Sequence, residues 1–151
     1  MPAKQSFAAL LGLKSENADA LRFLGEAAYL WWYLRNFDKA LIIFEAITLL
    51  APNDPVGFLG CAETLLEKGS HKEAERAATQ ATRTANINRR SMAFAHVLRG
   101  QAMFGLNNPG QAEKAWQKAS ELAPEGEMAR NIKAKIEVAR VCGLLPQTQA
   151  K

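Results

Sequence analysis

One helix-ending phrase occurs twice in this chain at a single offset. Phe37–Pro55 reads FDKALIIFEAITLLAPNDP, and Gln111–Pro124 reads QAEKAWQKASELAP. Ala40, Phe44, Ile47, Leu50, Ala51 and Pro52 of the first copy are matched by Ala112, Trp116, Ala119, Leu122, Ala123 and Pro124 of the second, each 72 residues further on. Within the first phrase, Ala40, Phe44, Ile47 and Leu50 recur at helical spacing, which buries one stripe of a helix. A phrase that returns at a constant offset implies stacked copies of one supersecondary unit. That constraint comes before any other reading of the fold.

The bulk numbers fit it. At 151 residues the chain is one domain, long enough for a real core if its helices stack. Apolar residues make up 48% and charged residues 23%, ordinary values for a globular chain. The formal charge of +4 is mild and spread along the sequence, so it does not demand nucleic acid or an anionic membrane. Cys61 and Cys142 lie far apart with no second pair to make a metal site, as expected for a reduced cytosolic setting. The start, MPAKQSFAALLGL, lacks the long apolar core and small-residue cleavage site of a signal peptide. The most apolar run, Ala27–Leu34, is far below the roughly 18 residues of a membrane span.

Read in order, residues 1–14 form an arm with a short helix around Phe7–Leu11. A domain over 15–142 follows, with repeats at about 21–54, 55–88 and 93–126 and a final helix over 126–142. Residues 143–151 read as a frayed tail. Ser15 is expected to cap the first helix, Asp54-Pro55 to open the third and Lys68-Gly69 to stop it. Ser70-His71-Lys72-Glu73 has the pattern of a capping box for the fourth, whose buried side carries Ala74, Ala77, Ala78 and Ala81. No strand signal is present.

Helix pairs with this punctuation resemble tetratricopeptide repeats, a 34-residue unit with small residues at fixed positions, an A-x3-F on the second helix and a closing proline. Ala40 to Ala74 is a step of 34, and Ala74 to Ala112 a step of 38, which places a four-residue insertion in the Thr84–Arg90 loop. Arg99 departs from the pattern where leucine is wanted, and Asn86 where proline is wanted. The resemblance implies an all-α fold: three tetratricopeptide helix pairs stacked as a short right-handed superhelix, with an N-terminal arm and a C-terminal capping helix. Ala40–Gly69, ALIIFEAITLLAPNDPVGFLGCAETLLEKG, is further similar to the central block of class II chaperones of bacterial type III secretion systems. Short tetratricopeptide chaperones of needle subunits and of another early export substrate belong to the same secretion machinery.

In such a stack the first helix of each pair lines the concave side. The residues expected there are Tyr29, Trp32 and Tyr33 from the first pair, Leu59, Glu63 and Leu66 from the second, and Phe94, Val97, Gln101 and Phe104 from the third. So many large apolar groups on one surface mark a binding groove, with the Tyr29–Trp32–Tyr33 cluster as its deepest pocket. The alternative is that the cluster packs against the arm or the last helix. Phe7, Leu10 and Leu11 of the arm are candidates for a dimer or partner contact, as the resemblance implies. Lys133, Lys135 and Arg140 read as a solvated face, and Arg83, Arg89 and Arg90 as a loop cluster without the interleaved aromatics of a nucleic-acid site.

No phosphate-binding glycine loop, metalloprotease motif or framed carboxylate pair is present, so neither an enzyme, a cofactor nor a metal is expected. The reading is a cytoplasmic bacterial chaperone that holds a secreted client in an apolar groove, without nucleic acid or membrane insertion. The client would be a translocator, a needle subunit or another early export substrate, and the chaperone a possible homodimer or heterodimer with a small co-chaperone. A general tetratricopeptide scaffold in another assembly is the alternative.

Overall fold

The computed structural model describes residues 18–145. Seven helices follow one another: α1 (Ala18–Tyr33), α2 (Phe37–Leu50), α3 (Pro55–Glu67), α4 (His71–Thr82), α5 (Arg89–Gly105), α6 (Pro109–Leu122) and α7 (Gly126–Val141). No strand occurs among the described residues. The pairs α1/α2, α3/α4 and α5/α6 pack internally, each packs on the next, and α7 closes the stack on α6. α1 also touches α3, and α3 touches α5, so the first helices of the pairs share one side. This is the all-α stack of three pairs plus a final helix that the repeat predicted. The expected arm, with Phe7, Leu10 and Leu11, and the expected cap Ser15 lie outside the described residues.

One turn is used three times. Arg35 (φ 58°), Gly69 (φ 73°) and Asn107 (φ 57°) each take the left-handed conformation just after the first helix of a pair. The following amide then reaches back five residues: Asn36 N–H to the Trp31 carbonyl at 2.9 Å, Ser70 to Leu65 at 2.8 Å, and Asn108 to Met103 at 3.0 Å. That closes the helix end in a Schellman arrangement. The same residue opens the partner helix, where the Asn36 and Asn108 side chains accept from the amides of Lys39 and Gln111. Ser70 makes no such bond, so the expected capping box does not form. Asp54 and Pro55 start α3 as expected, with the carboxylate accepting from Val56 N–H at 2.9 Å.

The core runs within the pairs and between them. Phe44 of α2 is fully buried with Ala28, Ala40 and Ile47, and Trp116 of α6 is buried with Ala112, Ala119 and Ile132. Between them α4 contributes Ala74, Ala78 and Ala81, all fully buried, with Ala77 half-buried against both neighbouring clusters. Each sequence departure has a partner elsewhere in the stack. Asn86 N–H donates across to the Asn53 carbonyl at 3.0 Å, tying the inserted loop to the α2–α3 turn, a bond proline could not make. Arg99 Nε bonds Glu75 Oε1 of α4 at 3.0 Å, and Thr79 donates to the same oxygen at 2.9 Å. Leu144 and Leu145, expected in the tail, are held by α7: their N–H groups both donate to the Ala139 carbonyl, and Leu145 is only 4% exposed in the α7 core. The rest of the expected tail lies outside the described residues.

Candidate functional site

On the side shared by α1, α3 and α5, the chain leaves a recess of about 630 Å³. Trp32 enters it from α1, Leu66 from α3, and Phe94, Val97 and Leu98 from α5. Trp32, Leu66 and Phe94 are half-buried there, while Val97 and Leu98, 7% and 4% exposed, are core residues that also reach the wall of the recess. Polar groups stand among them: Glu63 and Glu67 of α3, and Arg90 and Gln101 of α5. The start of α7 supplies another boundary through Glu127, Met128, Asn131 and Lys135, with Glu125 just before it.

Six of the residues expected on the concave side therefore come together: Trp32, Glu63, Leu66, Phe94, Val97 and Gln101. Tyr29 and Tyr33 do not join them. They line a neighbouring recess of about 1030 Å³ with Leu21, Leu30, Ile47 and Val56, so the aromatic cluster is divided between two hollows. Tyr29 links the two, because its hydroxyl donates to Glu63 Oε2 at 2.8 Å while its ring stands edge-on to Phe44 at 5.0 Å. Leu59 is 6% exposed and belongs to the core with Ala95 and Leu98 of α5, which cover it. Phe104 lies against Trp116, its ring 5.8 Å away, and seals the α5/α6 pair instead of the groove.

Residues of α7 were not expected here. Lys135 lines the recess, and Arg140 bonds Glu113 Oε1 of α6 at 3.0 Å, so neither belongs to a solvated face. Of the loop arginines, Arg89 donates to the Leu122 and Glu121 carbonyls at 2.7 and 3.1 Å, covering the end of α6, and Arg90 turns to the recess. An amphipathic pattern in α7 shows that the helix has a buried face. It does not show which hollow that face's border adjoins.

The electrostatics of the recess are those of charges partly withdrawn from water. Burial pushes the Glu63 carboxyl above the usual carboxylate range, Tyr29's hydrogen bond pulls the other way, and the charge of Glu67 adds to the rise. Burial likewise lowers Lys135. Tyr29 is held well above the usual phenol range by burial first and by Glu63 second. Trp32 Nε1 is buried with no acceptor among the described residues. Cys61 offers no nucleophile, since burial, with Glu45 nearby, pushes its thiol up to about 12. Among the described residues no group of three His, Cys, Asp or Glu side chains is placed to hold a metal, and no helix is long and apolar enough to cross a membrane. Chemically, the recess can accept apolar side chains and hydrogen-bond a backbone or a cation beside them.

Comparison with solved structures decides the fold. A structure of a type III secretion complex from Aeromonas hydrophila superposes with a TM-score of 0.76 at 19% identity, covering 97% of this chain and 100% of the other. The Yersinia enterocolitica type III secretion chaperone SycD, solved with a peptide of the translocator YopD, gives 0.72 at 17% identity over 84% and 97%. The first tetratricopeptide domain of RPAP3, bound to an HSP90 peptide, gives 0.69 at 23% over 83% and 96%. This chain has the tetratricopeptide-repeat fold. No family model and no curated protein matches its sequence. In a tetratricopeptide stack the recess occupies the inner, concave side, where α1, α3 and α5 stand next to one another.

Proposed function

We propose that this protein is a client-binding chaperone of a bacterial type III secretion system, acting in the cytoplasm. It holds a segment of an exported protein in the Trp32–Leu66–Phe94–Val97 recess by stoichiometric capture. The observation that carries this reading is the recess itself. Large apolar groups, a buried indole N–H without an acceptor among the described residues and one half-buried carboxylate, Glu63, converge where a peptide would lie. The likeness over nearly the whole chain to the Aeromonas complex, and over most of it to SycD with its translocator peptide, supports the choice of system. Covering an apolar client segment until export would prevent its early assembly or aggregation. Whether translocator, needle subunit or another early substrate, the client would be a protein that is insoluble or assembles when left alone. Phe7, Leu10 and Leu11 remain candidates for a second contact, with another copy or a small co-chaperone.

The test is co-purification from the native cell, comparing wild type with a Trp32→Ala/Phe94→Ala double variant. The expected result is one secreted protein held at fixed stoichiometry by wild type and lost from the variant, whose circular dichroism stays helical. A folded variant that keeps the same partner would place binding elsewhere. Loss of nothing, because wild type holds nothing exported, would favour the general scaffold.

A further inference from the structure

The recess has a charge of its own. Four carboxylates line it, Glu63, Glu67, Glu125 and Glu127, against two cations, Arg90 and Lys135. The chain as a whole carries a formal +4, so this hollow reverses the sign of the molecule around it. The carboxylates are not fully used internally. Glu63 accepts from Tyr29 through Oε2. Glu67 meets Arg35 only at 3.7 Å, with the arginine side chain 74% exposed, a contact of little energy.

Glu63 is the informative member. A carboxylate held partly out of water beside Leu66, Phe94 and Val97 is costly unless a donor reaches it. A neutral phenol satisfies one oxygen, and the other has no cation within ion-pairing distance among the described residues. The apolar surface and the carboxylates are contiguous, so a ligand that covers the first must meet the second. An acidic ligand would meet like charges on every side, and at half-buried Glu63 water would screen the repulsion least.

Resting on the client-binding reading above, we infer that the groove selects an apolar peptide segment carrying a lysine or arginine beside its anchor residue. Glu63 and Glu67 receive that cation while Trp32, Leu66 and Phe94 hold the anchor. Acidic peptides of the kind seen in the RPAP3 complex, SRMEEVD, are excluded by the same carboxylates.

The experiment is selection from a phage-displayed random dodecapeptide library on the full chain. Three forms are used: wild type, Glu63→Gln/Glu67→Gln, and Trp32→Ala/Phe94→Ala, each shown to be folded by circular dichroism. Wild type is expected to enrich aromatic or leucine residues together with Lys or Arg. A synthetic peptide from that pool is expected to bind the glutamine form about tenfold more weakly, with the difference shrinking at high salt. Glutamine at position 63 can still accept from Tyr29, so the groove's shape is kept. Enrichment of Asp or Glu, or a charge-blind pool bound equally by the glutamine form, overturns the inference while leaving the groove in place. If wild type enriches nothing that the Trp32→Ala/Phe94→Ala form loses, the groove is not the binding site and both readings fall together.

Discussion

The seams between packed helices and the concave recess are built on different terms. In the seam, rings are pressed onto glycine. A methyl group added at Gly60 would lie 2.1 Å from the Phe44 ring, and one at Gly100 would lie 2.3 Å from Trp116 Nε1. Trp116 also donates to the Val97 carbonyl at 3.3 Å, so even its polar atom is matched. In the recess, Trp32 has the same indole N–H with no acceptor among the described residues, and two ionisable groups are held against the preference of their charge. The seam's ring–glycine contacts are close-packed, although His71 Nδ1, beside Gly105, is also buried without a partner among the described residues. The recess is left incomplete at a cost, which is the usual condition of a surface shaped for something else.

The largest effects are therefore expected in the seam. Trp116→Ala removes a buried ring that fills the α5/α6 interface. It is expected to cost about 3–5 kcal/mol in denaturant unfolding. Gly100→Ala should cost about 1–3 kcal/mol by forcing that ring aside, and the two changes should not add, because both act on one contact. If Gly100→Ala proved silent, the seam would have slack and the contrast with the recess would be lost.

A middle case tests whether a polar group in the seam is as well matched as the rings. Arg99 takes the place of an expected leucine and pairs with Glu75, their side chains 37% and 19% exposed. Arg99→Leu restores the repeat's apolar residue but leaves Glu75 half-buried with only Thr79 as donor. We expect a loss of about 1–2 kcal/mol, less than for a fully buried pair because the arginine keeps part of its hydration. Adding Glu75→Leu should return most of it. An Arg99→Leu variant more stable than wild type would show that the pair contributes nothing.

These examples also mark what could be read from the sequence. Helix order and the turn positions follow from Ala40, Ala74 and Ala112 and the residues that punctuate them, because repeat spacing is a local, periodic signal. The departures at Asn86 and Arg99 were visible only as departures, since their partners, Asn53 and Glu75, are 33 and 24 residues away. For the recess, spacing gave the right side of α3 and α5 but not where the seam opens. Leu59 and Leu66 are seven residues apart on nearly one face, yet α5 covers the first and leaves the second at the hollow. Lys135 and Met128 were missed because a single amphipathic helix carries no record of the neighbour it borders.

The smallest expected effect has the opposite sign and comes from the recess. Burial raises the Glu63 carboxyl in the folded chain above its value in the unfolded one, despite Tyr29's bond. Between those two values the folded state binds more protons, so stability falls as pH rises through the window and the deficit persists at neutral pH. Glu63→Gln keeps an acceptor for Tyr29 and removes the charge. It should raise the thermal midpoint at pH 7 slightly, and the difference from wild type should vanish on acidification below the unfolded carboxylate range. Thermal melts across pH read both features in one series. A Glu63→Gln protein less stable than wild type at pH 7 would mean that Glu63 is already well served in the free chain. The recess would then be as complete as the seam, and its charge would no longer point to a missing partner.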